Sequence, residues 1–251
     1  MLLLFDIGNT NTHIGLADRR RVVKQADIPT AAWFGGSAKR VRQFVGRARP
    51  EGVALCSVVP RVTPRVRQAV RRLWQLRPFE LTAETVAGVG IDYPRPETIG
   101  EDRLANAVAA RHRFGVPVVV VDFGTAVTLD VVDRRGNYVG GIIAPGLAAM
   151  TEYLHEKTAL LPRIKMREIK TSIGRSTEEA MVVGAVHGYR GLVRELIAEL
   201  KRDLKLKRLP VVATGGYAKL MAARLPEISA VDPNLTLEGL RLVWEAARGD
   251  D

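Results

Sequence analysis

The chain has 251 residues, 47% hydrophobic and 26% charged, a composition that excludes disordered, collagenous and coiled-coil classes. A single cysteine, Cys56, excludes an internal disulfide framework, no apolar run approaches the roughly 18 residues of a membrane helix, and Met1-Leu2-Leu3-Leu4-Phe5 meets Asp6 with no basic segment of a signal peptide, so a reduced, cytoplasmic protein is expected. The net charge of +11 is concentrated in residues 1–80, which hold 15 Lys+Arg against 5 Asp+Glu.

The first predicted element is an apolar strand, Leu2 to Phe5, ending in Asp6-Ile7-Gly8 and the polar turn Asn9-Thr10-Asn11-Thr12. A second strand around Ile14 to Ala17 leads to Asp18-Arg19-Arg20. Next come a helix over 37–48, a strand at Gly52-Val53-Ala54-Leu55-Cys56-Ser57 and a helix over 63–76. In that helix Val66, Val70, Leu73 and Trp74 form an apolar stripe with arginines between them. The basic charge there reads first as a solvated face, and alternatively as attraction of nucleotides or nucleic acid. A helix over 101–114 closes this half.

The opening pattern then recurs. Val118 to Val121 lead into Asp122-Phe123-Gly124-Thr125, a second strand, and Asp133-Arg134-Arg135. The two Asp-x-Gly turns lie 116 residues apart and the two Asp-Arg-Arg turns 115 apart, so the chain holds two copies of one hairpin unit. Runs of four apolar residues indicate central strands buried on both faces. A third strand follows at Tyr138 to Ile143, then helices over 146–156 and 176–203, a strand at Pro210 to Thr214, and helices over 217–224 and 236–247. The pattern is α/β, with lobes at 1–115, completed by 232–251, and 116–231.

There is no P-loop, dinucleotide fingerprint, zincin pair or nucleophile elbow, and four scattered histidines make no metal cluster. Each Asp-x-Gly turn offers a carboxylate at a strand end, a glycine permitting close backbone approach, and short polar side chains that suit phosphates and a largely hydrated magnesium ion. Thr214-Gly215-Gly216-Tyr217 adds a glycine turn opening a helix. Asp102 and Arg103 start the 101–114 helix, whose positive end is expected to hold Asp102 ionised. A carboxylate there can accept a proton or orient a hydroxyl.

Together these residues resemble type III pantothenate kinase, of the acetate and sugar kinase, Hsp70 and actin superfamily. The resemblance runs through Asp6-x-Gly8-Asn9-Thr10, Cys56-Ser57-Val58-Val59-Pro60, Gly90-x-Asp92-Tyr93, Gly100-x-Asp102-Arg103, Asp122-x-Gly124-Thr125-Ala126, Gly140-Gly141-x-Ile143-x-Pro145-Gly146, Ser176-Thr177, Thr214-Gly215-Gly216 and Leu237-Glu238-Gly239-Leu240. Arg175-Ser176-Thr177 departs from relatives that often carry asparagine before the threonine.

The resemblance implies two duplicated ribonuclease H-like (actin-like ATPase) lobes, each a mixed sheet flanked by helices, with an ATP cleft between. It implies ATP-dependent phosphorylation of the primary hydroxyl of pantothenate. Asp102 corresponds to the base, and Tyr93, Gly100, Glu101, Asp102, Arg103 and Thr177 to pantothenate contacts, Thr177 from the partner subunit of a homodimer. Asp6, Ile7, Gly8, Asn9, Thr10, Asn11, Thr12, His13 and Thr125 correspond to ATP-binding positions, with Asp6 also near Mg2+. Asp122 corresponds to a monovalent-cation site for K+ or NH4+. Some members of the family were first described as Bvg accessory factors, so a transcription-linked role and a kinase for another small molecule are the alternatives. No DNA-reading motif accompanies the basic charge, and no specific nucleic acid or membrane is expected as a partner.

Overall fold

The computed structural model describes residues 1–249. In chain order its elements are β1 (Leu2–Ile7), β2 (Asn11–Ala17), β3 (Val22–Pro29), α1 (Ala38–Val45), β4 (Gly52–Ser57), α2 (Thr63–Trp74), β5 (Phe79–Glu80), β6 (Gly90–Ile91), α3 (Glu101–Phe114), β7 (Val118–Phe123), β8 (Ala126–Val132), β9 (Asn137–Pro145), α4 (Leu147–Lys157), α5 (Thr177–Asp203), β10 (Val211–Thr214), α6 (Ala218–Ala222), β11 (Ala230–Val231) and α7 (Leu235–Gly249). Short 3-10 helices lie at Thr30–Gly35 and Pro96–Thr98. Among the described residues no helix is long and apolar enough to cross a membrane. The chain forms two compact units: Met1–Val116 with Val132–Gly140 and the segment from Asn234 onward, and Pro117–Val131 with Gly141–Pro233.

In the first unit the sheet order is β3-β2-β1-β4-β5. β1 pairs antiparallel with β2 and parallel with β4, so Asp6 stands directly opposite His13 on one side and Cys56 on the other. Every residue of β1 is buried, which is why its sequence is an unbroken apolar run rather than an alternation. Leu3, Phe5 and Ile7 share one core with Val53, Leu55 and the inner faces of α1 and α2. Full burial of each such side chain contributes roughly 1.5–3 kcal/mol.

The opposite sheet face is covered by α3 and α7. A Cβ at Gly15 would lie 3.1 Å from Leu237, and one at Gly52 2.3 Å from the Trp244 ring. Gly239 brings α7 against the backbone of α3, since a Cβ there would sit 1.9 Å from the Ala105 carbonyl. Strand alternation puts Leu2, Leu4 and Asp6 on this second face.

The second unit repeats the plan. β7 pairs parallel with β10, which pairs parallel with β11, and the sheet runs β11-β10-β7-β8-β9. Strand for strand this is the order of the first sheet, with Asp122 at the place of Asp6 and Thr214 at the place of Cys56. β6 pairs with the first residues of β9, Gly90 opposite Asn137 and Ile91 opposite Tyr138, all within the first unit.

Two helices end earlier than their apolar periodicity suggests. α1 stops at Val45 because Gly46 turns away with φ 62°, and α2 at Trp74 because Gln75 adopts the left-handed conformation, φ 59°. β3 is an element the periodicity does not reveal: its middle residues are mostly exposed and polar, as befits an edge strand.

Candidate active site

Asp6 is the last residue but one of β1 and is 8% exposed. The turn after it is tight: the Gly8 amide donates to the Asn11 carbonyl at 3.0 Å, and a Cβ on Gly8 would lie 3.0 Å from that same oxygen. The Thr30–Gly35 helix braces the turn from behind. Thr30 donates its hydroxyl to the Gly8 carbonyl at 2.6 Å and its amide to the Thr10 carbonyl at 2.9 Å. Ile7 and Thr12 are fully buried, and Trp33 donates its indole N–H to the Thr12 hydroxyl at 3.0 Å. Of the predicted segment, Asn9 and Thr10 are the exposed members. His13 Nδ1 lies 2.7 Å from Asp27 Oδ1 on the neighbouring strand.

Asp102 occupies the first turn of α3, and its Oδ1 accepts the Arg103 amide at 2.8 Å. A Cβ on Gly100 would lie 2.7 Å from that oxygen. Gly100 has φ −58°, a backbone any residue adopts, so glycine there provides room for the carboxylate rather than conformational freedom.

The electrostatics of this unit are dominated by burial. The Asp6 carboxyl is pushed up to about 6, first by burial and then by the negative charge of Asp102, against weaker opposing pulls from His13 and the Cys56 thiol. Asp102 is also raised by burial, which outweighs the Arg103 amide and guanidinium. Desolvation thus works against the helix end's pull at Asp102 and raises its carboxyl. Glu101 is raised by burial, with Asp102 and Glu80 adding to the effect. The Cys56 thiol, 3.5 Å from Asp6 Oδ1, is pushed well up by burial and then by Asp6 and Asp102, so it stays a neutral thiol. Asp6, Glu101 and Asp102 are thus three carboxyls whose ionisation is opposed by burial, and at Asp6 and Glu101 also by their neighbours' negative charge.

Arg103 and Tyr93 sit in the same unit, and Tyr138 links them. The Tyr93 and Tyr138 rings meet edge to face with centroids 6.1 Å apart, and the Arg103 guanidinium lies 5.7 Å from the Tyr138 ring centroid. Tyr93 is brought there by β6, continued by the Asp92 amide donating to the Tyr138 carbonyl at 2.9 Å. The β6 to β9 pairing that seats Tyr138 has no signal in the periodicity, because β6 is only two residues long.

In the second unit Asp122 is partly buried and Thr125 exposed. Their turn is crowded by two glycines. A Cβ on Gly215, whose φ is +89°, would lie 2.4 Å from Asp122 Oδ1, and one on Gly146 2.1 Å from the Thr125 carbonyl. The predicted Asp122 to Thr125 turn and the Gly-Gly turn are thus packed on each other. Thr177 begins α5 and is exposed; Ser176 caps the helix by accepting the Glu179 amide at 3.1 Å, and Glu179 reaches back to the Arg175 amide at 2.7 Å. Among the described residues no group of three His, Cys, Asp or Glu side chains is placed to cage a metal ion.

Residues 2–199 match the family model described as type III pantothenate kinase. Two curated relatives carry that same name. The protein of Akkermansia muciniphila is 46% identical over 242 residues, covering 96% of each chain. That of Methylacidiphilum infernorum is 45% identical over 246 residues, 97% of this chain and 88% of the relative. Among solved structures, a Campylobacter jejuni protein named for the Baf family of transcriptional activators superposes with a TM-score of 0.61 at 18% identity, covering 98% of this chain and 99% of that one. That likeness shows a shared fold.

Proposed function

The chain belongs to the type III pantothenate kinase family, and from that premise we propose that it transfers the γ-phosphoryl group of ATP to the primary hydroxyl of pantothenate, giving 4′-phosphopantothenate for coenzyme A biosynthesis. The observation that carries the reading is the first unit's trio of Asp6, Glu101 and Asp102, all held above the ordinary carboxylate range beside Arg103 and Tyr93. Asp102 accepts or orients the hydroxyl proton, for which a raised pKa is an advantage. Arg103 offers the forked donor geometry that suits pantothenate's carboxylate, with Tyr93, Gly100 and Glu101 completing the contacts.

Asp6 directs the phosphates and a magnesium ion. A single carboxylate fits magnesium, which keeps several waters and takes its remaining ligands from substrate phosphates. Gly8, Asn9, Thr10, Asn11 and His13 meet the nucleotide along the same turn, while buried Ile7 and Thr12 contribute main-chain groups. Because phosphoryl transfer passes through a loose transition state, these groups position reactants and neutralise charge. In the second unit Thr125 contacts ATP, and Asp122 holds a potassium or ammonium ion.

Thr177 serves the site of the partner subunit in a homodimer. The second unit's exposed Ile143, Met150, Tyr153, Leu154, Leu160 and Ile173 support a self-association surface of this kind.

The test is ADP release by the purified protein with and without pantothenate, with the product weighed by mass spectrometry. Release that ignores pantothenate, or an acceptor mass unchanged by phosphorylation, overturns the reading. Exchanging potassium for sodium is expected to lower turnover, with ammonium restoring it; equal rates in all three remove Asp122 from the cation role. Gly100→Ala is expected to melt near the wild-type temperature, since the clash falls on a movable carboxylate end, yet to lose activity on the order of 10–100-fold. Unchanged kinetics in that variant would show that the Asp102 rotamer does not matter.

A further inference from the structure

The cations of α1 and α2 have no part in that chemistry. Between residues 30 and 79 the sequence carries 11 Lys or Arg and a single acidic residue, Glu51. α1 buries Ala38, Val41, Phe44 and Val45 and leaves Lys39, Arg40 and Arg42 exposed. α2 buries Thr63, Val66, Ala69 and Val70 and leaves Arg65, Arg67, Arg71 and Arg72 exposed. Arg67 pairs with Glu80, while among the described residues the other six have no carboxylate within ion-pair distance. These helices cover the sheet face carrying Leu3, Phe5 and Ile7, whereas Asp6 points to the face beneath α3 and α7. The basic layer therefore lies on the opposite sheet face from Asp6, and only Arg67, paired with Glu80, reaches the cavity that Glu101 also lines.

An ordinary solvated helix face mixes both signs, and like charges four residues apart repel. Here Arg67 and Arg71 of α2 are such a pair. Two further features shape the patch. Phe34, 49% exposed, stands among these arginines, with the Arg65 and Arg61 guanidinium carbons 4.7 and 5.8 Å from its ring centroid. A groove of about 410 Å³ runs at the end of α2, lined by Arg67, Arg71, Leu76, Arg77, Pro78 and Glu80. Arginines that track a backbone of phosphates, beside an exposed aromatic ring and guanidinium planes, are the elements of sequence-tolerant single-strand binding.

We propose that the outer face of α1 and α2, with Phe34, binds single-stranded nucleic acid without sequence preference, phosphates lying on the arginines and bases stacking at Phe34. The assignment is independent of the kinase site. It is tested with the full chain and a short labelled oligothymidylate, by fluorescence anisotropy across a salt series. The triple variant Arg40→Ala, Arg71→Ala, Arg72→Ala is expected to bind about tenfold or more weakly at low salt, with the log–log salt slope lowered by about 2. A control removing equal charge from the second unit, Lys165→Ala, Lys207→Ala, Arg208→Ala, is expected to leave binding unchanged. Phe34→Ala is expected to weaken oligothymidylate binding roughly fivefold or more with the slope intact, and to leave binding of inorganic polyphosphate unchanged. All three variants keep wild-type kinase turnover. Equal losses in the two triple variants, no loss in Phe34→Ala, or tighter binding to polyphosphate or anionic lipid vesicles than to the oligonucleotide overturns the proposal.

Discussion

Asp102→Asn is expected to leave the fold intact and to lower turnover roughly 10²–10⁴-fold, the span that a positioned proton acceptor supplies. Asparagine keeps the shape, and its side-chain oxygen still accepts the Arg103 amide that the carboxylate accepts at 2.8 Å. What disappears is the charge. Burial already disfavours that charge, so its removal relieves the native state rather than weakening it. The expected signature is therefore a collapse of kcat with little change in melting temperature or in the KM for ATP. The wild-type acid limb of kcat should also fall above the ordinary aspartate range, and the residual activity of the variant should lack that limb. Near-normal turnover removes Asp102 from the proton-accepting role. A variant that melts early makes the residue structural instead.

The duplicated hairpin shows how much was legible in the chain. Two Asp-x-Gly turns at the ends of four-residue apolar runs announce two central strands, and both β1 and β7 lie at the centre of their sheets. The helices were legible from their periodicity to within a few residues, and the family from the order of its short motifs. What periodicity did not reveal depends on lateral neighbours. β3 alternates too irregularly to read as a strand, and β5, β6 and β11 are two residues each. Their existence depends on a partner strand, which a local pattern does not encode. The same reason hid Tyr138, which reads as strand filling until β6 sets Tyr93 on it. It also hid Cys56, which meets Asp6 only through the register of β1 with β4. The raised carboxyl of Asp102 was hidden for a different reason: a sequence reports dipoles and neighbours, while the depth of burial that works against them belongs to the packed sheet.

The two copies of the hairpin have diverged in chemistry while keeping their topology. In the first, the carboxylate's parallel neighbour is a fully buried thiol and the surroundings include two further raised carboxyls. In the second, Thr214 takes the neighbour's place and glycine backbones press on the turn. A dry, acid-crowded corner favours a compact cation of high charge; a backbone-lined turn with one carboxylate suits a larger monovalent ion. The proposed assignment of magnesium to Asp6 and potassium or ammonium to Asp122, which the family resemblance implies, agrees with that contrast.

Asp6→Asn is expected to abolish most activity and, at pH 8, to make the ligand-free protein more stable. Asp6 has its folded pKa raised from 3.8 to about 6, so its neutral form is the one the fold prefers. A raised carboxyl contributes stability that is fully present below the unfolded pKa and is lost as pH rises through the folded one. Above about pH 6 the native state thus carries a charged, buried carboxylate at a cost on the order of 3 kcal/mol, from the shift and the energy of one pKa unit. Asparagine removes that cost. Its melting temperature should exceed the wild type's by several degrees at pH 8, the gap narrowing as pH falls through about 6 and closing near pH 4. Magnesium and ATP together should raise the wild-type melting temperature and leave the variant's almost unmoved, because the cation that compensates the carboxylate has lost its anchor. A variant less stable than wild type at pH 8 would mean that Asp6 is held by structural partners and not poised for a ligand. Equal stabilisation of both proteins by magnesium and ATP would place the phosphates elsewhere.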